Sequence, residues 1–171
     1  VLVFRGDPEV QRYDDPPLKT VAEARAFIAD LRRGQRAGEV RTWAITFQGI
    51  DRVIGLVTLQ HLARRGDAHH RRAEVGYGIA RARWGQGIAS EAVRAVLGYA
   101  FETLELNRVY ARTIADNRES VRLLERLGFV REGLQLLGQA RAPARLLLHP
   151  DDARLVRDQL GDQCALNGWS I

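Results

Sequence analysis

The sequence predicts an α/β fold in one domain spanning residues 1–171. Three observations point there. Segments with helical and strand periodicity alternate along the chain, which is the pattern of layered α/β architectures. An alternating run at 42–47 and a β-rich run at 53–59 flank the turn Gln48-Gly49-Ile50-Asp51, which reads as a hairpin. A glycine-rich turn, Trp84-Gly85-Gln86-Gly87, leads directly into the most strongly periodic helix of the chain. There is no internal repeat and no low-complexity linker to divide the 171 residues.

The elements follow in order. Thr20 to Glu23 forms a T-x-x-E capping box. Val21, Ala24, Phe27, Ile28 and Leu31 then recur at helical spacing, with Gly34 as the expected stop. Residues 61–72 carry His61, His69, His70 and several arginines, and read as a loop. Residues 73–80 form the next strand, with Gly76 and Gly78 on either side of Tyr77; glycines inside a strand often mark close approach of another backbone. The helix after the glycine turn shows Val93, Val96, Leu97, Ala100, Phe101 and Leu104 on one face. Residues 107–114 are a strand. A helix opens at Asp116–Ser120 and stops at Gly128, and a strand begins at Phe129. Beyond Gln135 the pattern weakens to a short strand at 146–148 and a helix at 150–160, with Pro150 near its first turn.

Composition excludes several classes. The chain is 46% hydrophobic and 27% charged, so it is neither disordered nor fibrous. No stretch reaches the roughly 18 apolar residues of a membrane span. A lone cysteine, Cys164, cannot form an internal disulfide, and no signal peptide is visible, so the cytoplasm is the expected location. The net charge of +5 is too diffuse to argue for nucleic acid. His61, His69, His70 and Asp67 lack metal-ligand spacing, and no metal is expected. Cys164 has no basic neighbour pattern that would make it a nucleophile. The chain begins Val-Leu-Val without Met, so the first element of the fold is expected to be missing or shortened.

The segment 73–104 carries the chemistry. A helix N-terminus presents unpaired N–H groups and a partial positive charge. Gly85 and Gly87 remove side chains there, which lets a diphosphate approach the backbone. A turn that needs glycine for geometry alone fits the same spacing. No Gly-Lys-Ser/Thr follows, so this is not a P-loop. Ser90 stands where a dinucleotide fold places its third glycine.

Four motifs in order carry a more specific resemblance. They are Ala73-Glu74-Val75-Gly76-Tyr77-Gly78-Ile79, then Arg83-Trp84-Gly85-Gln86-Gly87-Ile88-Ala89-Ser90-Glu91-Ala92, then Leu106-Asn107-Arg108-Val109, then residues 117–129, which read N-x-x-S-x-x-L-L-x-x-L-G-F. Together they resemble the GNAT N-acetyltransferase superfamily, in its RimJ/RimL-type branch, which acetylates protein N-termini and related amines. Asp7-Pro8-Glu9-Val10 also suits that branch, so the likeness runs from about residue 5 to 134. Residues 136–171 diverge from the family pattern, which ends in a glycine-containing hairpin and an aromatic-rich strand.

The resemblance implies a mixed, mostly antiparallel sheet flanked by helices and splayed between the strands at 73–80 and 107–114. It implies acetyl-CoA as co-substrate. Backbone amides of Gly85, Gln86, Gly87, Ile88 and Ala89, with Ser90 following, would hold the pyrophosphate. Tyr77, Gly78 and Ile79 would pair their backbone with the pantetheine arm, and Asn117 would hydrogen-bond it. Trp84 is either a cofactor contact or core packing. Asn117 also suits capping its helix, a role compatible with that contact. Ser120 would give a proton to the departing thiolate, unless it is a helix-surface serine. Glu74 is the general-base candidate; otherwise it is an exposed carboxylate paired with Arg71 or Arg72. The acceptor would be a primary amine, either a protein N-terminus or a small molecule such as an antibiotic or polyamine. A homodimer is a further expectation. Two rivals remain: a CoA-binding module without activity, and a phosphate-binding structural domain.

Overall fold

The computed structural model describes residues 1–62, 71–134 and 143–148. The expected helix at 150–160, Cys164, His69 and His70 lie outside them. The described part begins with one helical turn, α1 (Leu2–Arg5), and α2 (Val21–Arg36). A hairpin of β1 (Arg41–Phe47) and β2 (Ile50–Gln60) follows, then β3 (Arg72–Ile79). A 3₁₀ turn at Arg81–Arg83 leads to α3 (Ile88–Glu102). The rest is β4 (Arg108–Ile114), α4 (Arg118–Arg126), β5 (Val130–Leu134) and β6 (Pro143–Leu148).

The capping box forms as read: the Thr20 side chain accepts from the Glu23 amide, and the Glu23 side chain accepts from the Thr20 amide. Helix α2 does not stop at Gly34, however. It runs to Arg36, because the left-handed turn needed to leave the helix falls at Gly38, at φ +75°. The segment Asp7-Pro8-Glu9-Val10, which the resemblance implies is a helix, departs from that expectation. Residues 8–13 form hydrogen-bonded turns rather than a helix, with Asp7 Oδ1 accepting from the Glu9 amide at 2.9 Å.

The strands form one sheet in the order β1-β2-β3-β4-β6-β5. All pairings are antiparallel except β3 with β4. That parallel seam holds only three register pairs, Arg72 with Arg108, Ala73 with Val109 and Glu74 with Tyr110. Past Glu74 the two strands are not paired with each other, which is the expected splay. Ala73, Val75, Val109 and Ala111 turn one way and pack under Val93, Val96, Leu97 and Ala100 of α3. Burial of this kind supplies roughly 1.5–3 kcal/mol per large apolar side chain. The opposite face of the sheet is left for α1, α2 and the turns after them.

Candidate active site

The register places Glu74, Gly76 and Gly78 of β3 opposite Gln60, Thr58 and Leu56 of β2. These residues floor a cleft of about 360 Å³ that opens along the splay. The two glycines give it depth. A Cβ at Gly76 would stand 3.1 Å from Thr58 Oγ1, and one at Gly78 would project into open space. Phe4, Val10, Gln11 and Phe27 roof the cleft, and Asn117 and Ser120 of α4 close its far wall. The roof is tied down by Arg5, whose guanidinium bonds Asp14 at 3.2 Å and Asp15 at 3.3 Å and lies over the Phe27 ring.

Glu74 and Ser120, the two expected catalytic residues, both line this cleft. Glu74 is not the exposed carboxylate paired with Arg71 or Arg72 that the alternative required. Its side chain is 12% exposed and is gripped by Arg112, with Nε 3.0 Å from both carboxylate oxygens and Nη2 2.9 Å from Oε2. Arg71 instead pairs with Glu105. His61 adds Nε2 at 3.6 Å from Glu74 Oε2. The Arg112 guanidinium is held even more firmly protonated than usual, first by its hydrogen bond to Glu74.

Ser120 Oγ lies 2.7 Å from the Tyr77 hydroxyl. Tyr77 was expected to contribute backbone; its side chain also reaches into the site. Burial pushes its hydroxyl up from 10.0 to about 12, opposed by the hydrogen bond to Ser120 and the charge of Arg126. The folded state therefore disfavours the tyrosinate. Its contribution to stability is full below pH 10 and is lost as pH rises toward 12, amounting to roughly 3 kcal/mol at 1.36 kcal/mol per unit. Alkaline denaturation should steepen in that window, and a late component of the spectrophotometric tyrosine titration should vanish in Tyr77→Phe. A titration unchanged by that substitution would contradict the assignment.

Asn117 caps α4, its Oδ1 accepting from the Ser120 amide at 3.2 Å, which also orients Ser120. Tyr77 and Gly78 line the cleft, while Ile79 is buried in the core. The glycine turn lies beyond the cleft lining, one 3₁₀ turn past the end of β3. Trp84 is not core: it is 42% exposed, and its Nε1 donates to the Ile79 carbonyl at 3.0 Å. Gln86 donates to the Ala82 carbonyl. Gly85 and Gly87 have φ +71° and +78°, and a Cβ at either would meet nothing within 4 Å. Gly87 is the N-cap of α3 and provides no side-chain cap. The first-turn amides, including those of Ile88, Ala89 and Ser90, thus keep the anion-binding capacity of an uncapped helix start. An uncapped N-terminus, bare glycines and an unpaired strand edge beside it fit a diphosphate carrying an extended arm.

Sequence reasoning missed Arg112, because it lies 38 residues from Glu74 and no local spacing joins them. It also missed the roof, since Phe4 and Arg5 precede every motif. Among the described residues there is no group of three or more metal-ligating side chains, and no helix is long and apolar enough to cross a membrane.

Residues 1–130 match the acetyltransferase (GNAT) domain family. The uncharacterized N-acetyltransferase p20 of Bacillus licheniformis is 36% identical over 145 residues, covering 84% of this chain and 79% of that protein. Among solved structures, RimJ of Mycobacterium smegmatis in complex with CoA-disulfide has a TM-score of 0.71 at 24% identity, covering 82% of this chain and 69% of that one. Spermidine N-acetyltransferase of Vibrio cholerae in complex with CoA and spermine has a TM-score of 0.72 at 23% identity, covering 88% of each chain. The chain therefore belongs to the GNAT family and is an acetyl-CoA-dependent N-acetyltransferase.

Proposed function

We propose that the acceptor of the acetyl group is the α-amine of a protein or peptide N-terminus. The observation that carries this reading is the charge pairing inside the cleft. Among the described residues the carboxylates that line it are Asp14 and Asp15, which share the Arg5 guanidinium, and Glu74, which is paired with Arg112. A polyamine needs further anionic partners for its second and third ammonium groups. An N-terminus brings one amine. Its ordinary pKa of about 7.7–8.0 leaves a useful neutral fraction at neutral pH.

Acetyl-CoA supplies a thioester carbon open to attack and a thiolate as leaving group. The backbone amides at Gly87 to Ser90 would hold its diphosphate, and the free edge of β3 would pair with its arm. The Glu74 carboxylate takes the proton from the attacking amine. A backbone N–H near Tyr77 to Ile79 donates to the thioester carbonyl oxygen. The amine nitrogen bonds to the thioester carbon as the C–S bond breaks; the Ser120 hydroxyl, hydrogen-bonded to Tyr77, gives its proton to the departing sulfur and regains one from solvent, to which Glu74 releases the proton it took.

The test is thiol release across an acceptor panel at neutral pH: peptides with free α-amines, N-blocked peptides with lysine, and spermidine. The expected kcat/KM favours the α-amine peptides by at least about tenfold, the equivalent of 1.4 kcal/mol. A preference for spermidine would replace the N-terminus with a polyamine. Stabilisation by acetyl-CoA without turnover of any amine would leave a binding module. Equal stabilisation by ATP or phosphate would leave only a phosphate site.

A further inference from the structure

Glu74 occupies the last paired position of the seam between β3 and β4, opposite Tyr110. Arg112 lies two residues further along β4, on the same face, where the strands have begun to separate. Its guanidinium spans the opening and meets the carboxylate side-on. The contacts are unequal. Oε2 receives Nη2 at 2.9 Å and Nε at 3.0 Å from Arg112, with His61 Nε2 at 3.6 Å behind it. Among the described residues Oε1 receives Arg112 Nε alone, at 3.0 Å. A carboxylate oxygen has two lone-pair sites, so Oε1 keeps one for another partner. A glutamate carboxyl otherwise turns broadly about its last torsion. The planar fork removes that freedom, which a lysine point charge would not do. Among the described residues the other charged groups on this cleft, Arg5, Asp14 and Asp15, are engaged with one another in the roof.

We propose that Arg112 is a positioning residue for acetyl transfer, fixing the Glu74 carboxylate so that Oε1 receives the acceptor's proton. The proposal rests on the reading of Glu74 as the base. The rival role is a staple at the apex of the splay, which would hold the donor site open irrespective of Glu74.

The test compares kcat and KM for the intact chain, Arg112→Ala, Arg112→Lys, Glu74→Gln and the double variant Glu74→Gln/Arg112→Ala. The Arg112 side chain is 48% exposed, and Arg112→Lys keeps its stem and charge should the alanine variant fold poorly. Arg112→Ala is expected to lower kcat by about 10–100-fold, the scale of a misplaced catalytic group, with the KM for acetyl-CoA held within about threefold. Added guanidinium ion should restore part of that rate, and Arg112→Lys should fall between. In the Glu74→Gln background the same alanine substitution should cost nothing further. An equal loss in both backgrounds, or a loss confined to acetyl-CoA affinity, would establish the staple and overturn the proposal. Full activity in Arg112→Ala, with Glu74→Gln impaired, would dismiss Arg112 alone. Full activity in Glu74→Gln would dismiss the base and this proposal together.

Discussion

Replacing Gly87 with valine is expected to abolish stabilisation by acetyl-CoA while leaving the chain folded. Gly87 caps α3 at φ +78°, where a Cβ would meet no protein atom within 4 Å. The substituted side chain would not disturb the core. It would stand over the N-terminal amides of α3, in the space a diphosphate needs. The left-handed backbone adds strain of about 1–2 kcal/mol, and a β-branched residue tolerates it poorly. A ligand at a hundred times its dissociation constant stabilises by about 2.7 kcal/mol, a rise of several degrees for a domain of this size. Melting curves with and without acetyl-CoA should show that rise in the unmodified chain and lose it in Gly87→Val. A full rise in the variant would place the diphosphate away from α3.

Glu74→Gln should reduce kcat by roughly 10²- to 10⁴-fold at neutral pH, the usual contribution of a positioned acid–base group. The amide keeps the size of the side chain and removes the acceptor of the proton. The deficit should depend on pH in a definite sense. Below the acceptor's pKa of about 8 the amine arrives protonated and needs a base. Above it the amine arrives neutral, so the variant should recover toward the unmodified rate as pH rises. A deficit of constant size across that range would mean that Glu74 binds the acceptor rather than deprotonating it.

Local chemistry was readable from the chain, and long-range chemistry was not. Thr20 and Glu23 announced their helix because the capping box acts over three residues. Gly85 and Gly87 announced a bare helix start for the same reason. Asn117 and Ser120 fell within one helical turn, and their mutual hydrogen bond follows from that spacing. Glu74 was visible on its strand, but its environment was set by Arg112 on another strand. The Tyr77 hydroxyl was likewise unreadable, since its partner Ser120 lies 43 residues away. The end of α2 was misjudged because a glycine within a helix signals a stop only when the backbone turns left-handed there, and Gly38 makes that turn instead. Strand β6 was foreseen only at its end, residues 146–148; its full span Pro143–Leu148 is fixed by pairing with β4 and β5, which no short sequence window contains.

The three-pair seam between β3 and β4 has a consequence for cooperativity. It divides the sheet into two antiparallel halves, β1-β2-β3 and β4-β6-β5, each with one register shift in its outer pair. Across the seam the backbone ladder is three register pairs long, and the Glu74–Arg112 bridge and the core that both halves share under α3 complete the junction. The strand edges past Glu74, which lack ladder bonds to each other, belong to the lower end of the local-opening free energies found within one protein. A donor arm laid along the free edge of β3 would lengthen that junction. Its binding would then raise the hydrogen-exchange protection of the strand edges on both sides of the splay together.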